Sequence, residues 1–463
     1  MFVRLVRKEV LLHVREARFV WVAGFFCGLV LLGLGLMSRD YSRRLEGYQT
    51  SVAAERRQVF SVDAGETILR QVRELVNGRG IYAFRPPRAL GPLASGLEGA
   101  TPTQIHVSDR QVWARQASER FYQNPLLSLF PRPDYAYIVG AVLSLVALFF
   151  TFDAICGEKV NGTLKLTMST GVSRDRLLLG KWAGAMLTLG GPFLLATGMG
   201  MVLLSLAGRI PLGDASLVRV AGIVGLAFVY LSVFVTLGLA ISVLARRPSS
   251  ALLICLAVWV GTTVVLPNML ASLGRVLSPV PTFQQVRMQK RAIDQERAAQ
   301  NARLARLVES GGITGEERER RQEALREASE AEKGRIDAGY LRQLDGQIEV
   351  SRALSRASPA ACLTYAAAEL ADTGLRFYRR THEGYAQYRK AFRAYAQRLK
   401  QEAGADELDK DWLKPEEVPV LAFHSGGLAE AFGAVTVEVM VLVLFQVLAF
   451  VGAYVGFLRY DVS

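Results

Sequence analysis

Apolar residues gather into six blocks along the chain, at residues 19–37, 135–154, 182–207, 218–245, 251–272 and 432–458. The hydrocarbon core of a bilayer is about 30 Å thick and takes roughly 20 apolar residues to cross as an α-helix. Each block is of that order and few charges interrupt it. The pattern therefore predicts a mainly α, polytopic membrane protein with six transmembrane helices. Ahead of the first block, residues 1–18 alternate at helical spacing. Val3, Val6, Val10 and Val14 share a face with Leu11, while Arg4, Arg7, Lys8 and Arg15 cover much of the other. That is the pattern of an amphipathic helix lying at the surface of the lipid bilayer, with His13 a plain interfacial residue.

Two polar stretches separate the blocks, at residues 38–134 and 273–431. The first predicts a small mixed domain: a helix over 42–76 continuing the first span, a break at Asn77-Gly78 and at the Pro/Gly-rich run 86–102, a short strand at 104–107 and a helix over 108–122. The segment 283–310 and the segment 316–356 are rich in Ala, Arg, Glu, Gln and Leu, strong helix formers. With a Gly-rich turn at 311–315 between them, they predict an antiparallel helical hairpin in which Thr314 caps the second helix and Glu317 completes a capping box. Ser358-Pro359 then opens one long helix to about Lys400. It carries the aromatic stripe Tyr365, Phe377, Tyr378, Tyr385, Tyr388, Phe392 and Tyr395, read as packing. A linker at 414–419 leads to the last span.

Charge sets the expected orientation. The formal net charge is +13, and Lys159, Lys165, Arg174, Arg176, Lys181, Arg246, Arg247 and Arg459 all fall on one side of a six-span topology. By the positive-inside rule that side is cytoplasmic. The loop 155–181 and the tail 459–463 are then inside with the N-terminus, both polar stretches are extracytoplasmic, and the cytoplasmic membrane is the expected location. No compact basic domain with interleaved aromatics is present, so the positive charge points to a membrane surface, and no nucleic-acid partner is expected. The first block is too long for a cleaved signal peptide and is followed by charge. Cys27, Cys156 and Cys255 lie in or beside spans, so with Cys362 they imply no disulfide framework.

Catalytic patterns are missing. A phosphate-binding loop G-x-x-x-x-G-K-[ST] would need glycine where Asp175 stands and Ser or Thr where Trp182 stands. No H-E-x-x-H, C-x-x-C or G-x-S-x-G occurs, and His13, His106, His382 and His424 show no metal-ligand spacing. The chain is expected to be no enzyme, with no catalytic residue, metal or cofactor of its own. Within the spans, Pro192 and Pro267 are placed to kink or terminate helices, and broken helices line many transport pathways. Glu438, near the outer end of the sixth span, is an intramembrane acid and hence a functional candidate, though solvation explains it equally well at that depth. Pro192, Pro267 and Glu438 are thus the candidate pathway residues. Gly184, Gly190, Gly191, Gly198, Gly200, Gly222, Gly225 and Gly238 suit close helix packing or a dimer face.

The loop 155–181 is more patterned than a crossing turn requires. It holds the charged pair Glu158 and Lys159, a turn signal at Asn161-Gly162, a short helical pattern over 163–168, then Val172-Ser173-Arg174 and a basic start to the next span. Such a loop is expected to dock a cytoplasmic partner. The run DAICGEKVNGTLKLTMSTGVSRDRLLLGKW at 153–182 resembles the cytoplasmic loop of ABC-2 type transporter permeases. The ending GFLRYDV at 456–462, Ser358-Pro359 with its Ala/Tyr helix, and the segment 124–127 resemble a subgroup with two large extracytoplasmic insertions. The resemblance implies a permease subunit paired with a second permease copy, identical or different, and with a cytoplasmic ABC ATPase dimer that binds ATP and Mg. It also implies a coupling helix in this loop, with Glu158, Gly162, Thr163, Leu164 and Leu166 lining the ATPase contact beside Lys159, and Arg174 and Lys181 starting the third span at the membrane surface. Export or extrusion would follow. The alternative is a mechanotransmission or scaffold subunit that passes ATPase-driven motion to an envelope or periplasmic partner without substrate passage.

Overall fold

The computed structural model describes residues 2–60, 80–107, 112–113, 133–169, 171–206, 213–402, 418–423 and 425–459. Contacts divide the chain into two units, Met1–Thr263 with Pro359–Ser463, and Val264–Ser358. Among the described residues, six helices are long and apolar enough to cross a membrane: Phe19–Arg57, Tyr135–Val160, Arg174–Ser205, Ala215–Leu244, Pro248–Leu277 and Leu428–Leu458. Each coincides with one of the six apolar blocks, and the protein is a mainly α, polytopic membrane protein.

In the larger unit the amphipathic α1 (Phe2–Arg15) breaks at Glu16 and passes into α2 (Ala17–Phe60). At 1.5 Å per residue, the 44 residues of α2 extend about 66 Å, roughly twice the bilayer core. The expected extension of the first span is thus present as far as Phe60; residues 61–79 lie outside the described residues. The second span opens with α3 (Tyr135–Ile138), capped by Asp134, passes through a π turn at Val139–Leu143 and continues as α4 (Ser144–Thr151). Short helices α5 (Cys156–Val160) and α6 (Thr163–Ser169) form the loop, and α7 (Arg174–Leu206), α8 (Asp214–Leu244) and α9 (Pro248–Trp259) follow.

The second, third and fourth spans are half or more buried inside the protein, while the first, fifth and sixth are mostly exposed. The former make the centre, with Phe150, Phe193, Tyr230 and Phe234 enclosed. Lipid is as apolar as leucine, so helix association here rests on close fit and hydrogen bonds, not on exclusion of water. A Cβ at Gly238 would overlap the Thr151 hydroxyl, one at Gly200 would lie 2.6 Å from Leu34 Cδ1, and one at Gly190 2.9 Å from Phe228. Gly184 and Gly222 are similarly crowded, whereas Gly191, Gly198 and Gly225 have open space.

At the other end of these spans a three-stranded antiparallel sheet forms from β1 (Ile81–Phe84), β2 (Gln104–Val107) and β3 (Val112–Trp113), in that order. The strand expected at 104–107 is present. The helix expected over 108–122 is not supported at Val112 and Trp113, which pair with Val107 and His106; cross-strand pairing has overridden a local helical pattern. The rest of that segment, and residues 124–127, lie outside the described residues. The sheet buries Ile81, Ala83, Ile105 and Val107 against the stripe Tyr385, Tyr388, Phe392 and Tyr395, so the aromatic periodicity is core packing.

That stripe lies on α14 (Leu375–Glu402), which is separate from α13 (Pro359–Leu370). The single long helix expected after Ser358 is therefore two. Between them Asp372 takes φ 57 and its carboxylate meets Arg88 at 3.3 Å and also Arg380. The Thr373 hydroxyl donates to the Ala94 carbonyl at 2.7 Å. Arg85 and Arg88 stack on the Phe377 ring, 5.0 and 4.9 Å from its centroid, and burial pushes both guanidinium pKa values down, against the opposing pull of Glu98 and Asp372. Helix propensity is worth a few tenths of a kcal/mol per residue, too little to resist such a tertiary anchor. α13 packs on α8 and on the last span, α15 (Leu428–Leu458).

The smaller unit holds α10 (Leu266–Leu277), α11 (Phe283–Glu309) and α12 (Gly315–Ser355). The last two are the expected hairpin. Thr314 Oγ1 accepts from Glu317 N–H at 3.3 Å, while the full reciprocal capping box occurs at Thr282 and Gln285. Lys333 to Asp294 at 2.6 Å ties the two long helices, and a Cβ at Gly274 would overlap Ser351.

Candidate functional site

The loop between the second and third spans is bonded to four other helices. Its first helix, α5, starts with donors that have no partner within the helix. Ser242 Oγ, from the last turn of α8, accepts from Ile155 N–H at 2.9 Å and from Cys156 N–H at 3.1 Å. Lys159 Nζ reaches back to the Val243 carbonyl, one of the unpaired acceptors at the C-terminal end of α8, where a cation is favoured. Arg174, at the start of α7, donates to the Phe457 and Leu458 carbonyls at 2.9 and 2.7 Å and lies over the Phe457 ring. It thereby caps the last turn of α15 in the same way.

The fourth tie is an ion triad. Lys181 Nζ lies 2.8 Å from Glu158 Oε1 and 3.2 Å from Glu9 Oε1. The Lys181 side chain is 3% exposed, that of Glu9 6% and that of Glu158 19%. Lys181 is enclosed because α1 packs along α7. That packing needs glycine on either side of the lysine: a Cβ at Gly180 would be 2.4 Å from Leu5 Cδ2, and one at Gly184 2.6 Å from Glu9 Cβ. A buried ammonium is tolerated only when paired, and here it is paired twice.

Gly162, at φ 72, makes the left-handed turn between α5 and α6, a conformation other residues rarely adopt. It sets α6 so that Leu164 is 1% exposed and Leu166 71% exposed. Val160, at 61%, and the exposed Thr163 and Lys165 lie beside Leu166 on the open face. Leu164 and Leu166 are two apart, about 200° around a helix, so they do not share a face. Of the residues expected in one docking contact, Gly162, Thr163 and Leu166 are on the surface, Leu164 is core, and Glu158, Lys159 and Arg174 hold the loop to its helices.

Glu9, Ser242 and the carbonyls of Val243, Phe457 and Leu458 escaped the sequence reading. One signal was present for Glu9, an acid on a helix otherwise charged only with Arg, Lys and His up to residue 15, opposite a lysine flanked by Gly180 and Gly184.

The candidate pathway residues are not gathered at this loop. Pro192 lies within α7 and its carbonyl accepts from Cys27 Sγ at 3.7 Å. Pro267 lies in the first turn of α10, directly after a π turn at Val260–Val265, an irregularity of the kind at which helices kink. Glu438 is 0% exposed. Solvation does not explain it: the residue is about 15 Å along α15 from Leu428, on the face that also buries Val435 and Leu442.

Six apolar helices of membrane-spanning length, with a polar loop bonded to its neighbours between the second and third, define a polytopic membrane protein. A family profile described as ABC-2 family transporter protein matches residues 4–462, and the chain belongs to that family. It is also similar to the probable ABC transporter permease protein NosY of Pseudomonas aeruginosa, with 34% identity over 122 residues, which cover 26% of this chain and 43% of that protein.

Proposed function

We propose that this chain is the permease subunit of an ABC transporter, embedded in the cytoplasmic membrane with the Glu158 loop and both termini on the cytoplasmic side. A separate ABC ATPase dimer binds ATP and Mg and docks on the exposed face of α5 and α6, and a second permease copy completes the assembly. The observation that carries this reading is the bonding of the loop to α1, α7, α8 and α15 while Leu166 and Val160 stay exposed. A partner that grips α6 pulls on four helices at once. Closure of the ATPases on ATP would shift the spans between two arrangements, which requires that the partner bind those arrangements with different affinity.

Export or extrusion is the activity we assign to this motion. A second reading, transmission of motion to an envelope partner without substrate passage, is supported by the close approach of central spans, where a Cβ at Gly238 would overlap the Thr151 hydroxyl and one at Gly190 would lie 2.9 Å from Phe228.

The test is co-purification of the full-length protein with the ATPase encoded beside it, comparing wild type with Leu166→Asp. The variant is expected to lose the ATPase while keeping its thermal unfolding profile, because Leu166 is 71% exposed. Retention of the ATPase at wild-type stoichiometry would sink the docking assignment.

A further inference from the structure

Among the described residues the first strand, β1, lies at the edge of its sheet, and on the side away from β2 the Tyr82 N–H is taken by Glu55 Oε1 of α2 at 2.9 Å. Between that edge and the extension of α2 lies a cavity of about 120 Å³, lined by Tyr48, Glu55, Arg56, Tyr82, Phe84 and Tyr388 and closed on one side by residues 418–421. The volume is far above the ~10–15 Å³ a single water needs and below the ~300–1,000 Å³ of drug-sized pockets. It suits a ligand of a few heavy atoms.

The chemistry of the wall narrows the class. Glu55 is half-buried and spends one oxygen on Tyr82; among the described residues no Lys or Arg forms an ion pair with it. A carboxylate offers about four acceptor positions, and the Tyr82 N–H takes one of them. Arg56 also lines the cavity and is exposed. Four aromatic residues, Tyr48, Tyr82, Phe84 and Tyr388, line the same cavity, and the Tyr388 hydroxyl has its pKa raised by burial and by the nearby Glu55 charge, so it stays a neutral phenol. Aromatic faces attract cations, by about 0.5–2 kcal/mol each as they are desolvated. A metal ion would ask for several oxygen ligands, and the cavity offers one carboxylate. An added peptide strand would need the edge donor at Tyr82, which Glu55 already occupies.

We propose that this cavity binds a small organic ammonium ion, with its charge on Glu55 and its alkyl groups against Tyr48, Tyr82 and Tyr388. The site is independent of the coupling loop and of any ATPase.

The experiment is calorimetric titration of the full-length protein in lipid nanodiscs with choline, and with 3,3-dimethyl-1-butanol as a neutral probe of the same shape. Choline is expected to bind saturably and the alcohol about tenfold or more weaker, a difference of about 1.4 kcal/mol. Glu55→Gln keeps an acceptor for the Tyr82 N–H and removes the charge; it should lower choline affinity by about tenfold or more with an unchanged circular dichroism spectrum. Absence of saturable choline binding, equal binding of the alcohol, or full affinity in the folded Glu55→Gln protein would each overturn the assignment.

Discussion

Lys181 and Glu158 are 23 positions apart in the chain and meet at 2.8 Å, with the second carboxylate, Glu9, reaching the same ammonium at 3.2 Å from the N-terminal helix. One cation thus joins the loop, the third span and the amphipathic helix. Removing it by Lys181→Met leaves two enclosed carboxylates facing each other. Loss of one partner from a buried ionic group costs about 3–5 kcal/mol, so the variant is expected to unfold at markedly lower temperature in detergent, whereas Glu158→Gln, at the more exposed member, should change it far less. Equal unfolding temperatures for wild type and Lys181→Met would show that the triad does not hold the loop.

Gly184 allows α1 to lie against α7. In Gly184→Val the new side chain meets Glu9, whose Cβ would lie 2.6 Å from the added Cβ, and overpacking of this kind costs about 1–3 kcal/mol. Hydrogen exchange should accelerate in residues 2–15 and stay unchanged in α8. Protected α1 amides in the variant would contradict the packing.

Leu164 and Leu166 should separate cleanly. Leu164→Asp places a charge in the core and is expected to destabilise the loop by several kcal/mol, visible as rapid proteolysis between the second and third spans. Leu166→Asp should leave proteolysis unchanged. A reversed order would mean that α6 is rotated from the orientation described.

The alkaline limb of stability should report Tyr385. Its hydroxyl donates to the Pro102 carbonyl, and burial pushes its pKa from 10.0 to about 12. A phenol whose folded pKa is raised contributes stability that is complete below pH 10 and is lost as pH rises from 10 to about 12. At about 1.4 kcal/mol per tenfold change in proton affinity, the loss is roughly 2–3 kcal/mol at most. Chemical unfolding followed from pH 8 to 12 should show this decline. Tyr385→Phe should be less stable by about 1 kcal/mol at pH 8 and decline less steeply above pH 10. Part of the slope that remains belongs to Tyr388, whose pKa is raised by burial and Glu55. An identical slope in the variant would remove Tyr385 as the source.

Much of this architecture was legible before any coordinates. Six apolar blocks mark six spans because backbone polar groups in lipid must be satisfied within the segment, which leaves the helix as the form a single block can take. The hairpin was readable from helix formers on either side of Gly311-Gly312, and the α14 aromatics from their spacing. The outer sheet was legible only at 104–107. The four residues of β1 and the two of β3 are too short for a periodic signal, and the break at Asp372 depends on Arg88 and Arg380, nearly three hundred and eight residues distant respectively. Leu164 and Leu166 were separable from their spacing alone, since neighbours two apart on a helix face away from each other. Glu438 could not be placed from its own run, which is apolar on every side.

Sequence alone determined the class: the spans, the amphipathic start, the hairpin and a loop too patterned for a simple crossing follow from local composition and period, because hydrophobic length and helix propensity act on neighbouring residues. Only the tertiary structure decided that Lys181 is enclosed between Glu9 and Glu158, that Arg174 and Lys159 cap the ends of α15 and α8, and that Leu166 is left open. Those facts depend on which helices meet, and the approach of α1 to α7 at Gly180 and Gly184 brings together charges that lie 172 positions apart. No local pattern encodes a partner at that distance; close packing of rigid helices selects it.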